Sequence, residues 1–188
     1  NYIHGIRGRI SCGSYCFSKI LTAATGTFAA VFLGYALFLV VLKCFYPLVS
    51  KESLEGLRYV YENGSVNPDQ MYILNGRPLL YFIHVFMTEA AGYGFMAVFA
   101  LTVSTKVGNV FVLLSTPVLF YYGWITFCDV AYLPGIVRWY WIMTNGGVIR
   151  MTIGEPTLSL FGILGYFGGL EILLGFVFYW MIRRESHG

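Results

Sequence analysis

Charged side chains are scarce in this chain. Twelve Lys and Arg and nine Asp and Glu stand among 188 residues, 11% in all, less than half of the roughly 25% usual for soluble domains. So thin a supply does not cover the surface of a water-soluble protein, and the charges cluster between apolar runs instead of alternating with them. The net charge of +3 is mild, no basic stripe with interleaved aromatics occurs, and nothing points to nucleic acid. Cysteine is sparse too. Cys12 and Cys16 form a C-x3-C pair with no second pair to complete a zinc site, and Cys44 and Cys128 stand alone. There is no G-x-x-x-x-G-K-[ST] phosphate loop, no H-E-x-x-H and no G-x-S-x-G. No catalytic residue is therefore assigned, and any ATP-hydrolysing activity belongs to another chain or domain. Residues 1–20 lack the short apolar core and small-residue cleavage site of a signal peptide. The non-methionine start at Asn1 suggests a chain that begins inside a longer protein.

Apolar residues are abundant at 57%, with mean hydropathy +0.68. Four long runs hold most of them, at 21–42, 79–103, 110–127 and 158–182. At 1.5 Å per helical residue, about 20 residues cross a hydrocarbon core of roughly 30 Å. The runs are continuously apolar instead of alternating over about ten residues, which favours helices over a barrel. The expected fold is all-α: a polytopic transmembrane helical bundle with four spanning helices.

Between the first two runs lies a polar stretch, 50–76, in which Leu54 to Tyr61 reads as a helical turn or two and Asn63-Gly64-Ser65 fits the glycosylation pattern. The second and third runs are joined by so few residues, around Lys106, that they form an antiparallel hairpin. Residues 128–156 are too apolar for a solvated loop and too interrupted for a span, so a re-entrant or interfacial segment is expected there. Its Trp139-Tyr140-Trp141 cluster reads as an interfacial aromatic belt sooner than as a ligand-stacking platform.

Four spans put both ends on one side. Arg7, Arg9, Lys19, Lys106, Arg183 and Arg184 lie on that side, against Lys43, Lys51, Arg58, Arg77, Arg138 and Arg150 on the other. The counts tie, but the first group is denser and nearly free of acids. Counting Lys and Arg near span ends then places both termini in the cytoplasm, and residues 1–19 become a cytoplasmic link.

The stretch from Arg77 to Trp124 combines a span with a small-residue middle (Gly92, Gly94, Ala97), a short link from Ser104 to Asn109 carrying Lys106, and an apolar span with Pro117 near its first third. In this it resembles the membrane subunits, or permeases, of ABC-2 type transporters. The family has six spans with both ends inside, and a re-entrant hairpin between its last two. The resemblance implies that the four runs match spans three to six, the first two being absent here. It implies an exporter permease forming a substrate path in the cell membrane and holding no cofactor. Its partners would be a second permease chain and a nucleotide-binding ATPase that carries ATP and Mg, with Arg7, Arg9 and Lys19 as candidates for coupling to that ATPase.

Three ionisable residues lie within the runs: His84 and Glu89 in the second, Glu171 in the fourth. Such groups at membrane depth cost at least about 2.5 kcal/mol on insertion scales and are candidates for a substrate path or a helix interface. His84 and Glu89 are five residues apart, an offset of about 140° on a helix, so they do not share a face. Glu171 sits near Gly165, Gly168 and Gly169, small residues that let another helix approach. The alternative is a small four-helix redox or enzyme subunit using His84, Glu89 or Glu171. A haem between helices commonly takes two histidines within spans, and His4 and His187 are terminal.

Overall fold

A computed structural model describes residues 11–64 and 67–187, without the side chains of 145 and 185–187. Arg7 and Arg9 lie outside the described residues. Among the described residues there is no strand, and eight α-helices follow one another: α1 (Cys12–Phe45), α2 (Lys51–Glu62), α3 (Met71–Leu74), α4 (Pro78–Ser104), α5 (Val110–Val130), α6 (Trp139–Asn145), α7 (Gly147–Ile153) and α8 (Pro156–His187). Four of them, α1, α4, α5 and α8, are long and apolar enough to cross a membrane. The protein is an all-α integral membrane protein.

Helix ends follow local chemistry. Ser11 caps α1 by accepting from the Ser14 amide at 3.2 Å, so the helix starts nine residues before the apolar run. With 34 residues, α1 is about 51 Å long and overruns a bilayer core of roughly 30 Å. In the link between the second and third spans, the Asn109 side chain accepts from the Phe111 and Val112 amides and so begins α5. Glu155 does the same for α8, accepting from Leu158 N at 2.7 Å, with Pro156 in the first turn where no amide donor is needed. Ser50 caps α2, an amphipathic helix of twelve residues with no buried side chain. It is longer than the turn or two expected from the sequence.

The central helix is α4, which packs against α1, α5, α6 and α8. It runs antiparallel to α1, with Tyr35 stacked on Phe86 at 5.1 Å and Ala24 beside Gly94. It runs parallel to α8, with Glu171 beside Gly94 and Thr105 near Met181. The overhanging ends of α1 and α8 therefore emerge on the same side of the bundle as the α4–α5 link. The buried cluster consists of Ala91, Phe95, Trp139, Ile142, Met143, Ile163 and Phe167, contributed by α4, α6 and α8. By contrast α5 turns an apolar face outward, with Phe111 84% exposed and Leu114, Leu119 and Tyr122 beside it. Apolar side chains that face outward on a helix of this composition face lipid.

Residues 128–156 form neither a loop nor a span. α5 runs on to Val130, then a 3-10 turn (Gly135–Val137) leads into α6 and α7. These two seven-residue helices are joined at Gly146, whose φ of +66° suits glycine. The pair packs back on the bundle, α6 against α4 and α7 against α8. The belt reading of its aromatics does not hold for Trp139. That ring is 3% exposed and packs among Phe95, Phe120 and Tyr121. The turn before α6 aims it inward, where the aromatic rings of two spans surround it.

Candidate functional site

The densest buried polar cluster lies at the end of the bundle that carries α6 and α7. Asn67 and Gln70 form a reciprocal cap around the 3-10 turn Pro68–Gln70, with the Asn67 amide donating to the Gln70 side chain at 3.1 Å. That turn holds Asp69, which is 1% exposed. One nitrogen of the Arg150 guanidinium, from α7, lies 2.6 Å from its Oδ2, and the Arg150 side chain is 5% exposed. The same nitrogen donates to Thr88 Oγ1 at 3.4 Å, and the Thr88 hydroxyl donates to the His84 carbonyl at 2.8 Å. His84 is 7% exposed, and Tyr72 from α3 meets its imidazole edge to face at 4.9 Å. The Tyr72 hydroxyl is within 3.3 Å of Thr157 Oγ1 at the start of α8. Two stretches far apart in sequence, 67–88 and 150–157, thus meet around one buried ion pair.

Charge is expensive in this place. Burial pushes the Asp69 carboxyl up from its ordinary value, against the pull of the Arg150 guanidinium and of His84. Burial likewise pushes the Arg150 guanidinium down, against the pull of Asp69. Desolvation leads for both partners. Asp69 Oδ1, His84 Nδ1 and Arg150 Nε have no hydrogen-bond partner among the described residues.

Glu89 lies on the other side of α4, as its offset from His84 requires. It interacts with the Tyr35 phenol across the α1–α4 seam. Beside it a cavity of about 500 Å³ opens between α1, α4, α5 and α6, lined by Tyr35, Tyr93, Tyr121, Tyr122 and Trp139 among others. Glu171 is a third, separate place. Half-buried, it faces a groove of about 500 Å³ between α1 and α8 whose walls include Cys16, Ala24, Gly168 and Gly175. The small residue that admits its carboxylate is Gly94 of α4, while Gly165 and Gly169 have open space where a side chain would stand.

The three ionisable residues singled out from the sequence are therefore not one site. Lys19, the described member of the proposed coupling set, is exposed on the overhanging end of α1 with its ammonium 5.8 Å from the Tyr15 ring. Arg150 and Asp69 escaped sequence reasoning, although an arginine flanked by Ile149 and Met151 in an apolar stretch is a signal of burial. No group of three or more metal-ligating side chains occurs among the described residues. Comparison with protein-family models, curated proteins and solved structures returns no match for this chain.

Proposed function

We propose that the chain is the permease part of an ABC-2 type exporter, sitting in the cell membrane with both ends and the Lys106 link in the cytoplasm. The observation that carries this reading is the order of elements around the central helix. Two helices overrun the membrane on the side of the Lys106 link. On the opposite side, a two-helix hairpin between the last two spans folds back into the bundle. The Glu89 cavity, open between four helices and lined by one carboxylate and several aromatic rings, suits a place on a substrate path. In this reading Lys19 and the basic residues before it face the ATPase, and a second permease chain completes the assembly.

The test is purification of the full-length protein from its native membranes in mild detergent. A chain bearing the phosphate-loop motif is expected to co-purify in stoichiometric amount, with ATP hydrolysis that requires both chains. A stable, homogeneous assembly with no ATPase chain overturns the proposal.

A further inference from the structure

We propose that the cavity beside Glu89 binds a hydrophobic organic cation, its charge against the Glu89 carboxylate and its apolar body against the rings of Tyr35, Tyr93, Tyr121 and Trp139. As a substrate site this rests on the transporter reading, whereas as a binding site it rests on the cavity alone. Among the described residues, Glu89 is the one charged side chain that lines the cavity, and no lysine or arginine faces it there. Arg138 and Arg150 are paired with other carboxylates, Asp129 and Asp69. A carboxylate near the middle of a spanning helix needs a compensating charge or a proton, and the cavity wall supplies no cation. The rest of the wall is suited to a cation with an apolar body. Tyrosine and tryptophan faces carry the negative side of the aromatic quadrupole, which attracts ammonium-like groups, most of all where water is excluded. Met96 and Met143 add soft, adaptable surface. The volume of about 500 Å³ accommodates a drug-sized molecule. Tyr122 and Val118, at the mouth, face outward on α5, so a ligand dissolved in the bilayer has direct access.

Tetraphenylphosphonium and tetraphenylborate are nearly identical in shape and opposite in charge, which makes them the appropriate probes. Each is titrated into the detergent-purified full chain while quenching of tryptophan fluorescence is recorded. Saturable binding of the phosphonium is expected, at least about tenfold tighter than that of the borate. Glu89→Gln should lose at least about tenfold in phosphonium affinity, Tyr93→Leu severalfold, and Glu89→Asp little, while Asp129→Asn at the end of the bundle should bind as the parent does. Equal affinity for the two ions overturns the proposal, as does a folded Glu89→Gln protein that binds the phosphonium like the parent. Should Glu89→Gln fail to fold, the comparison of the two ions on the parent protein decides. Saturable cation binding by a chain that never associates with an ATPase keeps the site and removes the transporter reading. An ATPase-coupled complex that ignores the phosphonium does the reverse.

Discussion

Breaking the Asp69–Arg150 pair is expected to cost far more than removing it. The two side chains are 1% and 5% exposed and their charged atoms are 2.6 Å apart. At an effective dielectric constant of 20, unit charges about 4 Å apart attract by about 4 kcal/mol. Several kcal/mol of desolvation per ion offset that attraction, and burial is the leading influence on both groups. The pair is therefore close to neutral as a unit. Asp69→Leu leaves the Arg150 guanidinium buried with neither a counter-ion nor a hydrogen-bond acceptor in its place, and Arg150→Met leaves the carboxyl buried without its partner. Each single change should lower stability by about 3–5 kcal/mol. The double variant Asp69→Leu/Arg150→Met should lie within about 1–2 kcal/mol of the parent, because both charges go together and apolar atoms fill the space. Reversible unfolding in mixed detergent micelles, followed by tryptophan fluorescence, supplies the four corners of the cycle. The expected coupling energy, the sum of the two single losses less the double loss, is at least about 4 kcal/mol. Single variants within about 1 kcal/mol of the parent, or a double variant whose loss is the sum of the two, would refute the reasoning.

The same pair gives a pH signature. A carboxyl whose folded value lies above its ordinary 3.8 keeps its proton longer in the folded chain. Its contribution to stability is thus complete below about pH 4 and lost as the pH rises through the raised value. The difference in unfolding midpoint between the parent and Asp69→Asn, followed across that window, should shift accordingly, and a flat difference counts against it. The more exposed pair Asp129–Arg138, at 2.8 Å, should behave differently. Asp129→Asn should cost no more than about 1 kcal/mol. Arg138→Ala should cost more, because its guanidinium also donates to the Leu133 and Cys128 carbonyls, and equal losses in the same unfolding assay would contradict this. Gly94→Val should destabilise by about 1–3 kcal/mol, since an added Cβ would stand 3.3 Å from the Ala24 carbonyl and 3.0 Å from Glu171 Oε1. Gly34→Ala, which meets nothing within 4 Å, should be neutral or stabilising in the same measurement. In single-cysteine variants, a membrane-impermeant maleimide should label exposed Cys44 in intact cells and Cys12 only after permeabilisation; the reverse pattern inverts the proposed orientation.

Which segments are fit to cross a membrane was legible in the sequence, because about 20 continuously apolar residues match the thickness of the hydrocarbon core and leave no polar face for water. The helix bounds were less so. Hydropathy reports where lipid is, whereas the start of α1 at Cys12 depends on the Ser11 cap and on polar residues that are compatible with a helix outside the bilayer. Residues 128–156 were legible as an interrupted apolar segment, and Asn145-Gly146-Gly147 marked the break, since Gly146 and Gly147 both adopt positive φ. The buried ion pair was not legible. Asp69 and Arg150 lie 81 residues apart, belong to no periodic pattern, and meet only because a capped turn and the α6–α7 hairpin converge on one end of α4.

Which face of each span is buried was the hardest feature to read, and the reason is physical. In water an amphipathic stripe reveals the buried face, but in lipid both faces are apolar and the stripe vanishes. Small size and polarity then decide which surfaces meet. The middle of α4 follows this rule closely. Ala90, Ala91, Gly92 and Gly94 are buried, and Gly94 lets α1 and the carboxylate of α8 approach at one level. The polar residues of the same helix divide by direction. His84 and Thr88 turn to the ion pair, while Glu89 turns to the aromatic cavity. One helix thus carries a sealed charge pair on one side and an open carboxylate on the other. The sealed pair is already compensated within the protein, so it suits anchoring the hairpin. The open carboxylate has no cation in the wall around it, which is why the cavity, and not the more deeply buried cluster, is the place for a ligand.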